Sequence, residues 1–151
     1  MEQTLHDTLI KNREEKTALL ERMLSLTEKQ KDQLEKDQVE EIAETFAAWE
    51  KVSQNIDVLE GTYREAVLLV EREAPKDREA LLALLNGIEE KNIGLLERIQ
   101  KLHQENSTLA QEKMQDYRNE LKNVKKSNER VQSYLDPYAS MVDGVYFDQK
   151  K

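Results

Sequence analysis

Apolar residues between Asp77 and Leu135 recur at alternating intervals of three and four, which is the spacing of a helical stripe that faces partner helices. The first half of the stripe consists of Leu81, Leu85, Ile88, Asn92, Leu95, Ile99, Leu102, Asn106 and Leu109, and the second half of Ala110, Met114, Tyr117, Leu121, Val124, Asn128, Val131 and Leu135. The halves are offset near Asn106, as a stutter in a coiled coil would produce. A helix of this length would span about 85 Å and would need partner helices.

Two shorter amphipathic patterns precede this stripe. The first covers about residues 4 to 35 and places its leucines on one helical side, although Asn12, Lys16 and Gln30 fall on that side too. The second covers about residues 39 to 72. The chain therefore contains two helices that can act as partners for the third.

Two aromatic residues of the second pattern lie three positions apart. Phe46 and Trp49 therefore share one face of the helix. Because large aromatic side chains are mostly buried, we expect both to anchor the contact between helices.

Two breaks separate the three patterns. At Lys36–Val39 the apolar phase changes, which favours a tight turn with Asp37 capping the second helix over one helix that bends there. At Pro75 the chain must leave the helix, and Asp77 is then expected to cap the third.

A further break near Asn106 is an open alternative. Thr108 and Gln111 fit a capping box at the point where the phase shifts, and a break there would give four helices. We favour a continuous helix, because no glycine or proline forces a stop and the stripe resumes at once.

These patterns predict an all-α fold, an elongated antiparallel helical bundle or coiled coil of three long helices over residues 1 to 135. Residues 136 to 151 are expected to form a non-helical tail, which begins at Asp136-Pro137. The expected docking residues at this end of the chain are Tyr134, Tyr138, Met141, Val142, Tyr146 and Phe147. So many apolar groups should be covered by the chain's own bundle, by a second copy or by another protein.

Composition limits the partners and the compartment. Hydrophobic residues are 38% and charged residues 36% of the chain, which indicates a narrow core. The net charge of -8 gives no general attraction to nucleic acid or to anionic membranes. No apolar run approaches 18 residues and no signal sequence opens the chain, so we expect a cytoplasmic protein without membrane insertion.

The side chains that catalysis or metal binding would need are missing. Carboxylate-bridged metal sites in bundles use Glu-x-x-His pairs, but Gln3 and Gln100 stand three residues before His6 and His103. No glycine-rich phosphate loop, nucleophile elbow or cysteine is present. We therefore expect no enzyme activity, no metal and no cofactor.

Five stretches of the chain resemble the FlgN-type family of flagellar export chaperones. They are the leucine-bearing first helix, the charged junction Leu34–Ile42, the run Ile56–Glu60, the long third helix ending near Tyr134, and the tail Gly144–Lys151, which is similar to the ends of Gram-positive members. The resemblance implies a cytoplasmic chaperone of flagellar type III export. Such a chaperone binds the C-terminal helices of hook-associated (hook-filament junction) proteins, prevents their premature assembly and delivers them to the export gate.

An open apolar seam on the third helix would suit this function, because a groove of this kind accepts an amphipathic helix. The expected client-binding residues are Leu109, Met114, Tyr117, Leu121, Val124 and Val131. The uncovered seam should also favour a weak homodimer that a client displaces. Two alternatives remain open, a chaperone of the filament cap protein and a self-associating structural coiled coil with no client.

Overall fold

The computed structural model describes residues 2–72 and 75–122, with side chains for residues 5–72 and 78–122. It contains three α-helices, α1 (Glu2–Glu35), α2 (Val39–Val70) and α3 (Pro75–Leu121), and the described residues contain no strand. The prediction of three helices is thus confirmed. The predicted end of the third helix and the tail over residues 136 to 151 lie outside the described residues.

The helix α3 is continuous through Asn106 and Thr108. The four-helix alternative is therefore wrong. The helix begins at Pro75, two residues earlier than predicted, so Asp77 lies inside its first turn and not at the capping position. Proline suits the first helical position because its fixed φ is already helical and the amide that it lacks would have no helical partner there.

The turn between α1 and α2 depends on the backbone of Asp37. Its φ is 57°, and its amide donates to the Leu34 carbonyl at 3.2 Å. The amide of Gln38 donates to the Gln33 carbonyl at 2.9 Å. Together these bonds form a helix C-terminus that is closed by one residue in the left-handed conformation. Asp37 thus ends α1 and does not cap α2 as expected. The capping position of α2 is one residue later, at Gln38, whose carbonyl accepts from the Ile42 amide.

The three helices divide into two compact units, which are described separately. Unit 1 combines Met1–Leu24 with Lys51–Arg98, and unit 2 combines Ser25–Glu50 with the chain from Ile99 onward.

The apolar core of unit 1 contains residues from all three helices. Its buried cluster comprises Leu9, Val70, Leu81 and Leu85, with Leu5, Ile10, Tyr63, Ala66 and Val67 packed against it. Leu9 belongs to the same cluster as Val70, whereas Asn12, further along α1, donates to the Leu59 carbonyl at 3.1 Å. In unit 1, α1 and α2 are therefore antiparallel.

A buried arginine links the three helices of unit 1. Arg13 is 0% exposed, and its guanidinium lies 3.0 Å from Oε1 of Glu60 on α2 and 3.0 Å from Oε1 of Glu89 on α3. It also donates to Oδ1 of Asn12 through Nε at 3.1 Å and Nη2 at 2.7 Å. The guanidinium carbon lies 3.6 Å from the centroid of the Tyr63 ring, which adds a cation–π contact.

The same carboxylates hold a second cation. Nζ of Lys16 lies 2.7 Å from Glu60 and 3.6 Å from Glu89. Burial alone would raise the pKa of Glu60, but the hydrogen bond and charge of Lys16, with those of Arg13, hold that pKa below its usual value. Two carboxylates thus balance two cations, so the buried charge of Arg13 is compensated.

Replacing Arg13 should destabilise the fold much more than replacing Lys16. In Arg13→Met the carboxylates lose a fully buried partner, which costs about 3–5 kcal/mol, whereas Lys16→Met, at a more accessible site, should cost about 1 kcal/mol or less. Urea unfolding of both variants measures the two losses. Similar losses would show that the buried guanidinium has no special role.

Candidate functional site

The expected client-binding residues that the structure describes lie on α3 in unit 2. Leu109, Met114, Tyr117 and Leu121 are all half-buried. Met114, Tyr117 and Leu121 are spaced by three and four residues, so they share one helical face with the buried Ala110. We call these three residues the α3 strip. Val124 and Val131 lie outside the described residues, as do the expected tail-docking residues Tyr134, Tyr138, Met141, Val142, Tyr146 and Phe147.

Two side chains attach α3 to the turn between α1 and α2. The Tyr117 hydroxyl lies 3.1 Å from Oδ1 of Asp37, and Nζ of Lys113 lies 2.9 Å from the same oxygen. Lys113 also donates to the Glu35 carbonyl at 3.4 Å. Leu121 is one helical turn further along, about 6 Å beyond Tyr117. The α3 strip therefore begins beside this turn and continues past the end of α1.

An aromatic stack lies in the core of unit 2. The indole of Trp49 donates to Oγ1 of Thr27 at 3.2 Å, and its ring stacks on His103 with a centroid distance of 6.0 Å. The ring of Phe46 also stacks on the ring of Trp49, with a centroid distance of 6.4 Å. Trp49 is buried and Phe46 is half-buried, so the prediction of an aromatic anchor between helices is confirmed for Trp49 and partly for Phe46.

His103 is buried in the core of unit 2. It is 4% exposed, and desolvation lowers its pKa from 6.5 to about 4. The buried positions of α3 in this region are Ile99, His103, Asn106 and Ala110, so the helix presents His103 to the core more fully than the half-buried Leu102. The spacing of seven residues between His103 and Ala110 could have indicated that His103, and not Leu102, takes the buried position.

Three amides in the core of unit 2 retain polar atoms without a hydrogen-bond partner among the described residues. The unpartnered atoms are Nε2 and Oε1 of Gln30, Oε1 of Gln33 and Oδ1 of Asn106. Nδ2 of Asn106 does donate, to the Thr27 carbonyl at 2.9 Å. A buried polar group that stays unsatisfied costs about 1–3 kcal/mol.

Three residues that contribute to this region were not anticipated as a group. Lys113 and Tyr117 lie four residues apart and meet Asp37, which lies 76 and 80 residues earlier in the chain. The spacing of four predicts that Lys113 and Tyr117 share a side of the helix. Nothing in the local sequence points to their common partner.

The described residues contain no cluster of three or more histidine, cysteine or acidic side chains that could hold a metal ion. None of the described helices is both long enough and apolar enough to cross a membrane. Comparison with protein families, with curated proteins and with solved structures gave no match to this chain.

Acidification should destabilise the protein through His103. Unfolded His103 takes up a proton as the pH falls below about 6.5, whereas the folded side chain resists protonation until about pH 4, so protons favour the unfolded state in this window. From pH 7 to pH 5 this group should reduce the free energy of unfolding by about 2 kcal/mol. Urea unfolding at both pH values checks the change, with His103→Leu as the variant that lacks it. An equal loss in the variant would exclude His103 as the cause.

Replacing Gln30 by leucine should stabilise the protein, because neither of its polar side-chain atoms has a hydrogen-bond partner among the described residues. We expect Gln30→Leu to raise the free energy of unfolding by about 1–3 kcal/mol. Asn92→Leu is the matched control in unit 1, where the amide of Asn92 donates to the Arg13 carbonyl and to Glu89, and this variant should be destabilised. Thermal and urea unfolding measure both. A destabilised Gln30→Leu would contradict the assignment of an unsatisfied amide.

Proposed function

We propose that the protein is a cytoplasmic chaperone of flagellar type III export, which binds the C-terminal helices of hook-associated proteins and delivers them to the export gate. The sequence resemblance to FlgN-type chaperones suggests this function. The observation that carries it is the α3 strip, whose three apolar side chains are only half-buried and continue past the end of α1.

The proposed binding mode is an amphipathic client helix lying along the α3 strip. Side chains at positions i, i+3 and i+7 of α3 form a row that the apolar face of another helix can cover. Leu109, with Val124 and Val131 further along the sequence, would extend the contact. Covering the client's apolar face would prevent premature assembly, and a strip only one helix wide would still allow release.

The tail over residues 136 to 151 is proposed to cover the same strip when no client is bound. Its apolar side chains include Tyr138, Met141, Val142, Tyr146 and Phe147. Full burial of a large apolar side chain is worth about 1.5–3 kcal/mol before entropy is counted. A tail with several of these residues can therefore compete with a client, and its removal should strengthen client binding.

A glutamate in the α3 strip should weaken client binding. We expect Leu121→Glu to reduce the affinity for the C-terminal segment of a hook-associated protein by about tenfold or more, since a charge would be buried against the client, and tenfold corresponds to about 1.4 kcal/mol. Asn119→Glu adds the same charge to an exposed position of the same helix and should have little effect. Removal of residues 138 to 151 should tighten binding. Isothermal titration calorimetry on the full chain and its variants measures all three.

The outcomes separate the competing functions. Equal affinity of Leu121→Glu and Asn119→Glu would exclude the α3 strip as the client site. Tight binding of a filament-cap segment, with none of the junction protein, would assign the protein to the other client. Absence of binding to both segments, together with a stable dimer in sedimentation, would support the structural coiled coil.

A further inference from the structure

Unit 1 has a groove between two parallel helices. Arg13 contacts Glu89, and Thr17, one turn later on α1, contacts Asn92 nearly one turn later on α3. In unit 1, α1 and α3 therefore run in the same direction. A cavity of about 350 Å³ lies between them and is lined by Glu14, Thr17, Leu84, Gly87, Ile88 and Lys91. We call it the α1–α3 groove.

The groove exposes part of the apolar face of α3. Leu81 and Leu85 are buried in the core of unit 1, but Leu84, on the flank of this face, is 51% exposed. Ile88 lies one turn after Leu84 on the same flank and is half-buried. The apolar face of α3 is thus wider than α1 and α2 can cover in this unit.

Charged side chains stand on both rims of the groove. Glu14 on α1 is exposed and forms no ion pair with another described residue. Lys91 on α3 lies 3.5 Å from Glu21 on α1, but both side chains are more than half exposed, so this pair is weak and can be exchanged for another. The rim formed by α1 therefore presents the negative charges of Glu14 and Glu21.

We propose that the α1–α3 groove binds an amphipathic helix of a partner protein, antiparallel to α1 and α3, with leucine-like residues toward Leu84 and Ile88 and basic residues toward Glu14. In an up-down-up-down four-helix bundle, an antiparallel helix packs in the groove between two parallel helices. The α1–α3 groove is open at this position. The basic flank follows from the carboxylate of Glu14 on the rim, and the net charge of -8 favours the approach of a basic segment.

This surface goes beyond the proposed function. It lies in unit 1, whereas the α3 strip lies in unit 2, and it requires neither the client nor the tail.

Two synthetic peptides of 18 residues test the proposal against the full chain by fluorescence anisotropy. Both carry leucine at heptad positions a and d, and they differ only on the flank of this apolar face that would lie toward α1, which carries lysine in one and glutamate in the other. The lysine peptide should bind at least tenfold more tightly. Glu14→Lys should reverse this preference, whereas Glu15→Lys, the same change at an exposed neighbour outside the groove, should leave it unchanged.

Two further variants test the groove itself. Leu84→Glu should reduce binding of the lysine peptide by at least tenfold. Gly87→Gln should also block it, and should not weaken the fold, because a Cβ at Gly87 would meet no atom within 4 Å and glutamine favours a helix more than glycine does. Circular dichroism and urea unfolding verify that each variant is folded.

Several outcomes would overturn the proposal. Similar affinity for both peptides, or an equal effect of Glu14→Lys and Glu15→Lys, would mean that no defined groove selects the helix. Loss of binding in Leu121→Glu with normal binding in Gly87→Gln would place the peptide on the α3 strip. A dimer of the native chain that Gly87→Gln converts to a monomer would identify a second copy as the occupant.

Discussion

The enclosure of Arg13 is the interaction on which unit 1 depends. A guanidinium with no exposed surface must have its charge and its donors compensated within the protein, and here the compensation comes from all three helices. Asn12 supplies an acceptor from α1, Glu60 a carboxylate from α2 and Glu89 a carboxylate from α3. Because shifting any helix along its axis would leave part of this charge unpaired, the network fixes the register of the three helices in this unit.

The two units differ in how far their buried polar side chains are hydrogen-bonded among the described residues. In unit 1 the described hydrogen bonds join Arg13, Asn12 and Asn92 to partners on neighbouring helices. In unit 2 Gln30 is equally buried, yet its amide has no such partner among the described residues. Among the described residues, the buried Gln30 therefore contributes less to the stability of its unit than the buried Asn92 does.

Local patterns predicted the elements of this fold but not its long-range polar contacts. The three helices, the turn near Asp37, the continuity of α3 through Asn106 and the burial of Trp49 all follow from periodicity and residue type. The burial of Arg13 could not be inferred, because its partners lie 47 and 76 residues away in the chain.

The sequence predicted the helical face that carries the expected client-binding residues, but not the surroundings of that face. The heptad pattern correctly placed Met114, Tyr117 and Leu121 along one face of α3, but spacing alone does not reveal which of them another element covers. The exposed flank at Leu84 was missed, because a narrow stripe was read where the helix has a wider apolar face.

The separations along the chain also bear on the order of folding. Hydrogen bonds between α1 and α2 close loops of 22 to 47 residues, as in Thr27–Trp49 and Asn12–Leu59, whereas hydrogen bonds between α1 and α3 close loops of 75 to 79 residues. Short loops close at a lower entropic cost, so the hairpin of α1 and α2 can form first. During synthesis on the ribosome this hairpin emerges before α3 is complete. Arg13 can therefore pair with Glu60 before Glu89 is available. Until then Arg13 pairs with Glu60 alone and meets water on the side that α3 later covers, so its burial and its second carboxylate arrive together with α3.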